Sequence, residues 1–165
     1  MIGRIGAVLA MLAACWMAMA SAQTRNGRDA PSAPHYQSLK SDTVHMRVGP
    51  GTQHPIEWVL QRRNLPVRVI AELEQWRRVV DPTGTAGWVH QQTLSSRRYA
   101  MVTGEIRSLR RAPQADAVTI ALLEPGVIGR LMECAGAWCR MEAGGFRGWI
   151  ARAEIWGTDP GEVFK

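Results

Sequence analysis

Val44-His45-Met46-Arg47-Val48-Gly49-Pro50 opens a segment that closes on Gly87-Trp88-Val89, and the same order returns as Arg107-Ser108-Leu109-Arg110-Arg111-Ala112-Pro113, closing on Gly148-Trp149-Ile150. Arg47 and Arg110 lie 63 residues apart, Trp76 and Trp138 lie 62 apart, and Trp88 and Trp149 lie 61 apart. Offsets this constant mean two copies of one unit. A unit of roughly 55–60 residues can fold alone but has little room for a buried active site. The duplication therefore points toward binding before any motif is considered.

Within the first copy, Val44, Met46 and Val48 alternate with His45 and Arg47, the period of a half-buried strand. Gly49-Pro50-Gly51 ends it, because proline cannot donate to a ladder and glycine permits the turn. Strands are expected over residues 43–48, 56–60, 67–71, 76–80 and 86–90, and again over 106–110, 117–123, 129–134, 138–141 and 147–151. Asp81-Pro82-Thr83-Gly84, Glu124-Pro125-Gly126 and Ala143-Gly144-Gly145 supply the turns. Short, closely spaced strands with no amphipathic helix between them predict an all-β chain of two small barrels.

These marks carry a resemblance. Met46-Arg47-Val48-Gly49-Pro50-Gly51, Trp76-Arg77-Arg78-Val79 and Gly87-Trp88-Val89 with Leu94, followed by Leu109-Arg110-Arg111-Ala112-Pro113, Trp138-Cys139-Arg140-Met141 and Gly148-Trp149-Ile150 with Ile155, are similar to the bacterial SH3-like domain family in tandem. The likeness covers about residues 42–157 and implies two five-stranded SH3-like barrels, residues 42–96 and 104–157, that bind envelope material or another protein. It does not imply recognition of proline-rich peptides, since no tyrosine-rich first loop is present. Ala112 and Gln114 stand where the first copy has Gly49 and Gly51, so the second copy's first loop is expected to be shaped differently.

Cys134 and Cys139 flank a four-residue connection in the second hairpin, and a disulfide across that turn is expected in an oxidising compartment. The 62-residue offset places Glu72 and Arg77 at the corresponding positions of the first copy. An acid and a base there suggest a cross-strand ion pair in the disulfide's place.

Catalysis is not expected. SH3-like domains often accompany cell-wall peptidases, but a thiol hydrolase needs an activated cysteine, a base and an orienting group. Here Cys134 and Cys139 look committed to each other, all four histidines (His35, His45, His54, His90) lie in or before the first copy, and no Gly-x-Ser-x-Gly elbow exists. The histidines lack metal-ligand spacing, and neither a metal nor a cofactor is expected.

Ligand contact is assigned instead to Trp58, Trp76 and Trp138, whose indoles offer a flat apolar face with a polar edge, and to Arg47 and Arg110, whose guanidinium groups match carboxylates or phosphates. Packing of Trp76 and Trp138 between hairpin and barrel, and for the two arginines an internal ion pair to a loop carboxylate that holds the first loop, are the competing readings. Trp88 and Trp149 are expected in the barrel core or at its rim, and Trp156 at a barrel end or at the junction between units.

The ends complete the picture. Arg4, the apolar run 5–19 and Ala20-Ser21-Ala22 before Gln23 form a signal peptide over residues 1–22, cleaved between Ala22 and Gln23; a lipobox reading of Leu12-Ala13-Ala14-Cys15, with Cys15 lipidated, competes with it. Residues 23–41 read as a flexible tether, 95–104 as a short join and 157–165 as a loose tail. The full chain carries a formal charge of +6, nearly all from arginine, which favours anionic envelope polymers or peptide carboxylates. The expected protein is exported, periplasmic or secreted, without a transmembrane segment in its mature form, and is a monomer or weak oligomer. Its partner is a cell-wall glycan, a stem peptide or an envelope protein, with nucleic acid no routine ligand. A scaffold that positions a separate wall hydrolase or secretion component, and an enzyme of unrecognised chemistry, are the alternatives.

Overall fold

The computed structural model describes residues 34–165. The signal peptide, its cleavage point at Ala22 and Gln23, the lipobox cysteine Cys15 and the first part of the tether lie outside the described residues.

Two seven-stranded antiparallel sheets follow one another along the chain. The first contains β1 His35–Leu39, β2 Val44–Arg47, β3 Ile56–Leu60, β4 Pro66–Leu73, β5 Trp76–Val80, β6 Ala86–His90 and β7 Leu94–Ser95, in the order β3-β2-β6-β5-β4-β1-β7. The second contains β8 Tyr99–Val102, β9 Arg107–Arg110, β10 Thr119–Leu123, β11 Ile128–Ala135, β12 Trp138–Ala143, β13 Phe146–Ala151 and β14 Ile155–Trp156, in the order β10-β9-β13-β12-β11-β8-β14. The order is the same in both, and even the register break in β4 between Val69 and Ala71 recurs 62 residues later in β11 between Leu131 and Glu133. One turn of 3-10 helix, Gln91–Thr93 and Arg152–Glu154, precedes the last strand of each. The result is a tandem of small SH3-like barrels.

Each barrel closes on its own core. Leu39, Val44, Met46, Val67, Val69, Val79 and Val89 fill the first, and Val102, Leu109, Leu131, Met141 and Ile150 the second. The conserved-looking spacing of the Gly-Trp pairs has a steric cause. A Cβ on Gly148 would stand 2.6 Å from the Arg110 carbonyl oxygen, and one on Gly87 would stand 2.2 Å from the Met46 side chain. Glycine lets β6 and β13 approach β2 and β9 closely.

Three sequence expectations are corrected. Residues 35–39, expected in the flexible tether, form β1, with Ser38 and Leu39 fully buried and paired between β4 and β7. The 95–104 join likewise supplies β8, whose Ala100 and Val102 are fully buried. The tail is docked rather than loose: Phe164 bridges Cys134 through both backbone groups, Arg152 donates to the carbonyls of Asp159 and Glu162, and Arg98 pairs with the Glu162 carboxylate.

β14, the tail and two further contacts tie the barrels together. Trp156 packs edge-on against Tyr36 of the first barrel at 5.0 Å between ring centroids, and Asp159 meets Arg68 at 3.0 Å. Arg62 donates to the Gly126 carbonyl at 2.6 Å, and Met101 and Ile128 pack against the first core. Burial, followed by the charge of Asp159, pushes the Tyr36 phenol above its ordinary value despite Arg68 and Arg98 nearby. The Trp156 junction expected from sequence is therefore a contact between units.

Candidate functional site

Arg47 sits at the end of β2, one residue after the fully buried Met46, so its guanidinium projects from the barrel's outer face. There it donates to the His54 carbonyl at 2.6 Å, closing the loop between β2 and β3. Arg110 makes the same bond to the Ala117 carbonyl at 3.0 Å. Both arginines thus hold their own first loop, through a carbonyl seven residues on.

The loops themselves match bond for bond. His54 N–H to Gly51 O and Gly51 N–H to Gly49 O repeat as Ala117 N–H to Gln114 O and Gln114 N–H to Ala112 O. The expectation of a differently shaped second loop is corrected for a simple reason. A Cβ on Gly49 would stand 2.7 Å from the His54 ring, whereas the second copy carries the small Ala117 at that place and so tolerates Ala112.

Beside Arg47, the outer face of the first barrel forms a groove of about 240 Å³. Its aromatic wall is Trp76 at the start of β5 and His90 at the end of β6, cross-strand partners whose rings meet edge to face at 5.4 Å. His45 and Arg47 from β2 also line it, together with Val44, Thr43, Thr52 and Thr93. His90 is held in place from two sides: its Nδ1 accepts from the Gln92 N–H at 3.3 Å, and its Nε2 faces Gln75 Oε1 at 3.0 Å. With Nδ1 accepting, the neutral ring carries its proton on Nε2 and donates to Gln75.

Of the residues assigned to ligand contact from sequence, the structure brings Arg47 and Trp76 into this groove. Trp58 is on the edge strand β3, 52% exposed and outside the lining. Trp138 and Arg110 occupy the corresponding positions of the second barrel, where the partner across from Trp138 is Ala151 rather than a histidine. His45, His90 and Thr93 were missed as site residues. Each differs from its counterpart in the other copy (Ser108, Ala151, Glu154), as Thr43, Val44 and Thr52 of the lining also do (Ile106, Arg107, Ala115), whereas Arg47 and Trp76 are kept as Arg110 and Trp138.

Trp88 and Trp149 do not fill the cores. Gly87 and Val89, and Gly148 and Ile150, are the buried residues of their strands, so the intervening indoles point outward and are half-buried. Trp88 is paired between Arg47 and Arg78, and Trp149 between Arg110 and Arg140. A basic and aromatic row thus crosses the outer face of each barrel.

Cys134 and Cys139 are cross-strand partners joined by a disulfide. In the first hairpin Glu72 and Arg77 are likewise partners, with Arg77 Nε 3.0 Å from Glu72 Oε2. Among the described residues no group of three or more histidine, cysteine or acidic side chains is arranged to hold a metal ion. No helix among them is long and apolar enough to cross a membrane.

With this geometry the family comparison is decisive. The model of the bacterial SH3 domain matches residues 40–96 and 104–157, two thirds of the chain. The chain belongs to the bacterial SH3 domain family. Its two domains are the two barrels, each extended at its start by a strand, β1 or β8, that begins before the matched segment. No curated protein matches the chain. Among the solved structures that resemble it are NlpC1 and NlpC2 from Trichomonas vaginalis, each at 11% identity with a TM-score of 0.36 over 76% of this chain. The chain spans about half the length of those proteins, 46% of the first and 49% of the second.

Proposed function

We propose that this tandem of bacterial SH3 domains is an exported, non-catalytic binding module for cell-envelope material, peptidoglycan in particular, and that the first barrel makes the contact. The observation that carries this reading is the groove between β2 and the β5–β6 pair. It joins an indole, two imidazoles and a guanidinium on the outer face of one copy, and the other copy lacks both imidazoles. A stacking surface beside fixed donors suits a glycan or peptide, whose faces are apolar and whose edges are polar.

Sedimentation of the purified protein with isolated sacculi tests the reading. Binding that survives moderate salt and is lost on Trp76→Ala, while Trp138→Ala keeps it, supports the first barrel as the contact. Absence of binding to sacculi turns the reading toward an envelope protein as partner, and turnover of muropeptides by the pure protein refutes its non-catalytic character.

A further inference from the structure

We infer that the groove of the first barrel recognises the free carboxylate at the end of a short peptide chain. The inference rests on the groove being the binding site, and goes beyond that reading in naming what it grips.

The charge of the lining comes first. Arg47, His45 and His90 are its titratable or charged members, and the remainder is Thr43, Val44, Thr52, Trp76 and Thr93, so no carboxylate is present to neutralise them. Acidic residues on the neighbouring elements lie outside it. Asp42 is paired with Arg63 at 3.8 Å, and Glu57 on β3 and Glu74 in the β4–β5 turn are exposed and do not line the groove. The bond to the His54 carbonyl uses Nη1 of Arg47, which orients the guanidinium and leaves Nη2 and Nε without a partner among the described residues. Such a planar pair of donors matches the two oxygens of a carboxylate.

Size comes next. At about 240 Å³ the groove is smaller than the roughly 300–1,000 Å³ that accepts a whole drug-sized ligand, so it takes the end of a larger molecule. A chain end is where a peptide carries its free carboxylate. Thr93 already donates to the His90 carbonyl at 2.6 Å, whereas Thr43 and Thr52 are exposed and available to the last peptide groups.

The second barrel is an internal control. It keeps the loop staple, the indole and the fold, yet Ser108, Ala151 and Glu154 replace His45, His90 and Thr93. Glu154 lies 3.7 Å from Arg107, the counterpart of Val44. The same scaffold therefore forms without the histidines, and in that copy a carboxylate of the chain itself is paired at the corresponding place. Folding does not require the two histidines of the first barrel.

The test is an NMR titration of the purified protein with N-acetyl-dialanine and with its C-terminal amide, each in D,D and L,L forms. The expected result is that the free acid binds at least about tenfold more tightly than the amide, with shifts confined to the first barrel. The His45→Gln/His90→Gln variant, folded by its own spectrum, should lose most of the preference for the acid over the amide. Preference for the D,D acid makes wall stem peptides the source of the ligand, and preference for the L,L acid makes it a protein C-terminus. Equal binding of acid and amide overturns the inference. So does failure of every peptide to bind while sacculi are still retained through Trp76, an outcome that leaves the proposed function standing. Failure of both peptides and sacculi overturns both.

Discussion

The first hairpin should accept a second disulfide. Glu72 and Arg77 are direct cross-strand partners in β4 and β5, as Cys134 and Cys139 are in β11 and β12, and both pairs are five residues apart in sequence. Glu72→Cys/Arg77→Cys closes a loop short enough that the chain-entropy gain is only about 2 kcal/mol. Against this stands the ion pair that is removed. Its side chains are 16% and 30% exposed, so solvent screens it, and a cross-strand pair of this kind contributes roughly 0.2–1 kcal/mol. Arg77 also donates to Gln91 Oε1 and to the Glu74 carbonyl at an exposed edge, which removes a little more. The net stabilisation of the oxidised variant should be about 1 kcal/mol. Urea denaturation with and without reductant, after peptide mapping has confirmed both disulfides, measures it. An oxidised variant no more stable than its own reduced form would refute the claim that the two hairpins are interchangeable at this position.

Gly148→Ala should cost more than Gly87→Ala, about 3 against about 1–2 kcal/mol by chemical denaturation, because the first meets the rigid Arg110 carbonyl oxygen at 2.6 Å and the second chiefly the flexible Met46 side chain. Trp156→Ala removes the ring contact with Tyr36, and calorimetry should then show the barrels unfolding in two resolved steps rather than one. The hydrogen bond from Arg98 holds the Glu162 carboxyl below its ordinary value of 4.5 even though partial burial opposes it. Its contribution is therefore complete above that value and is lost as the pH falls through the lowered one. A melting series down to about pH 3 should show this acid loss, and Glu162→Gln should lower the neutral-pH stability and flatten the series.

Most of the barrel was legible because its strands alternate cleanly and its turns use glycine and proline. What escaped was the opening strand of each copy. The buried face of β1 carries Tyr36 and Ser38, and only the latter's hydrogen bond to the Arg97 carbonyl at 2.8 Å satisfies that hydroxyl. Hydropathy cannot mark such a strand, but spacing could have. Tyr36 and Tyr99 are 63 residues apart, as Arg47 and Arg110 are, so the repeat begins earlier than its apolar pattern does. The tail escaped for another reason, since Phe164 is the lone aromatic residue of 157–165 and the carboxylate of Glu162 is held by Arg98, 64 residues earlier in the chain. Within the site, Trp76 and Arg47 could be selected by residue type, whereas His45 and His90 had to be brought together by the β2–β6 neighbourhood.

The divergence of the two copies follows from what covers each of them. In the second barrel the tail adds a short bridge at Cys134 and lays Phe164 against the core, leaving Cys134 and Cys139 at 1% and 0% exposure. A charged pair moved there would lose its water, and its desolvation would exceed the attraction it gained. An apolar crosslink suits that environment. No described tail covers the first hairpin, and a partly solvated Glu72–Arg77 pair is tolerated at the same position. The outer faces follow the same logic in reverse. Arg140 is paired with Glu133 at 3.5 Å in the second barrel, while the corresponding Arg78 of the first has no ion pair among the described residues. One copy pairs Arg140 with a neighbouring carboxylate and carries the strap that joins the barrels. The other sets Arg47 beside His45 and His90 in a groove whose lining holds no carboxylate, and the proposed binding face rests on that asymmetry.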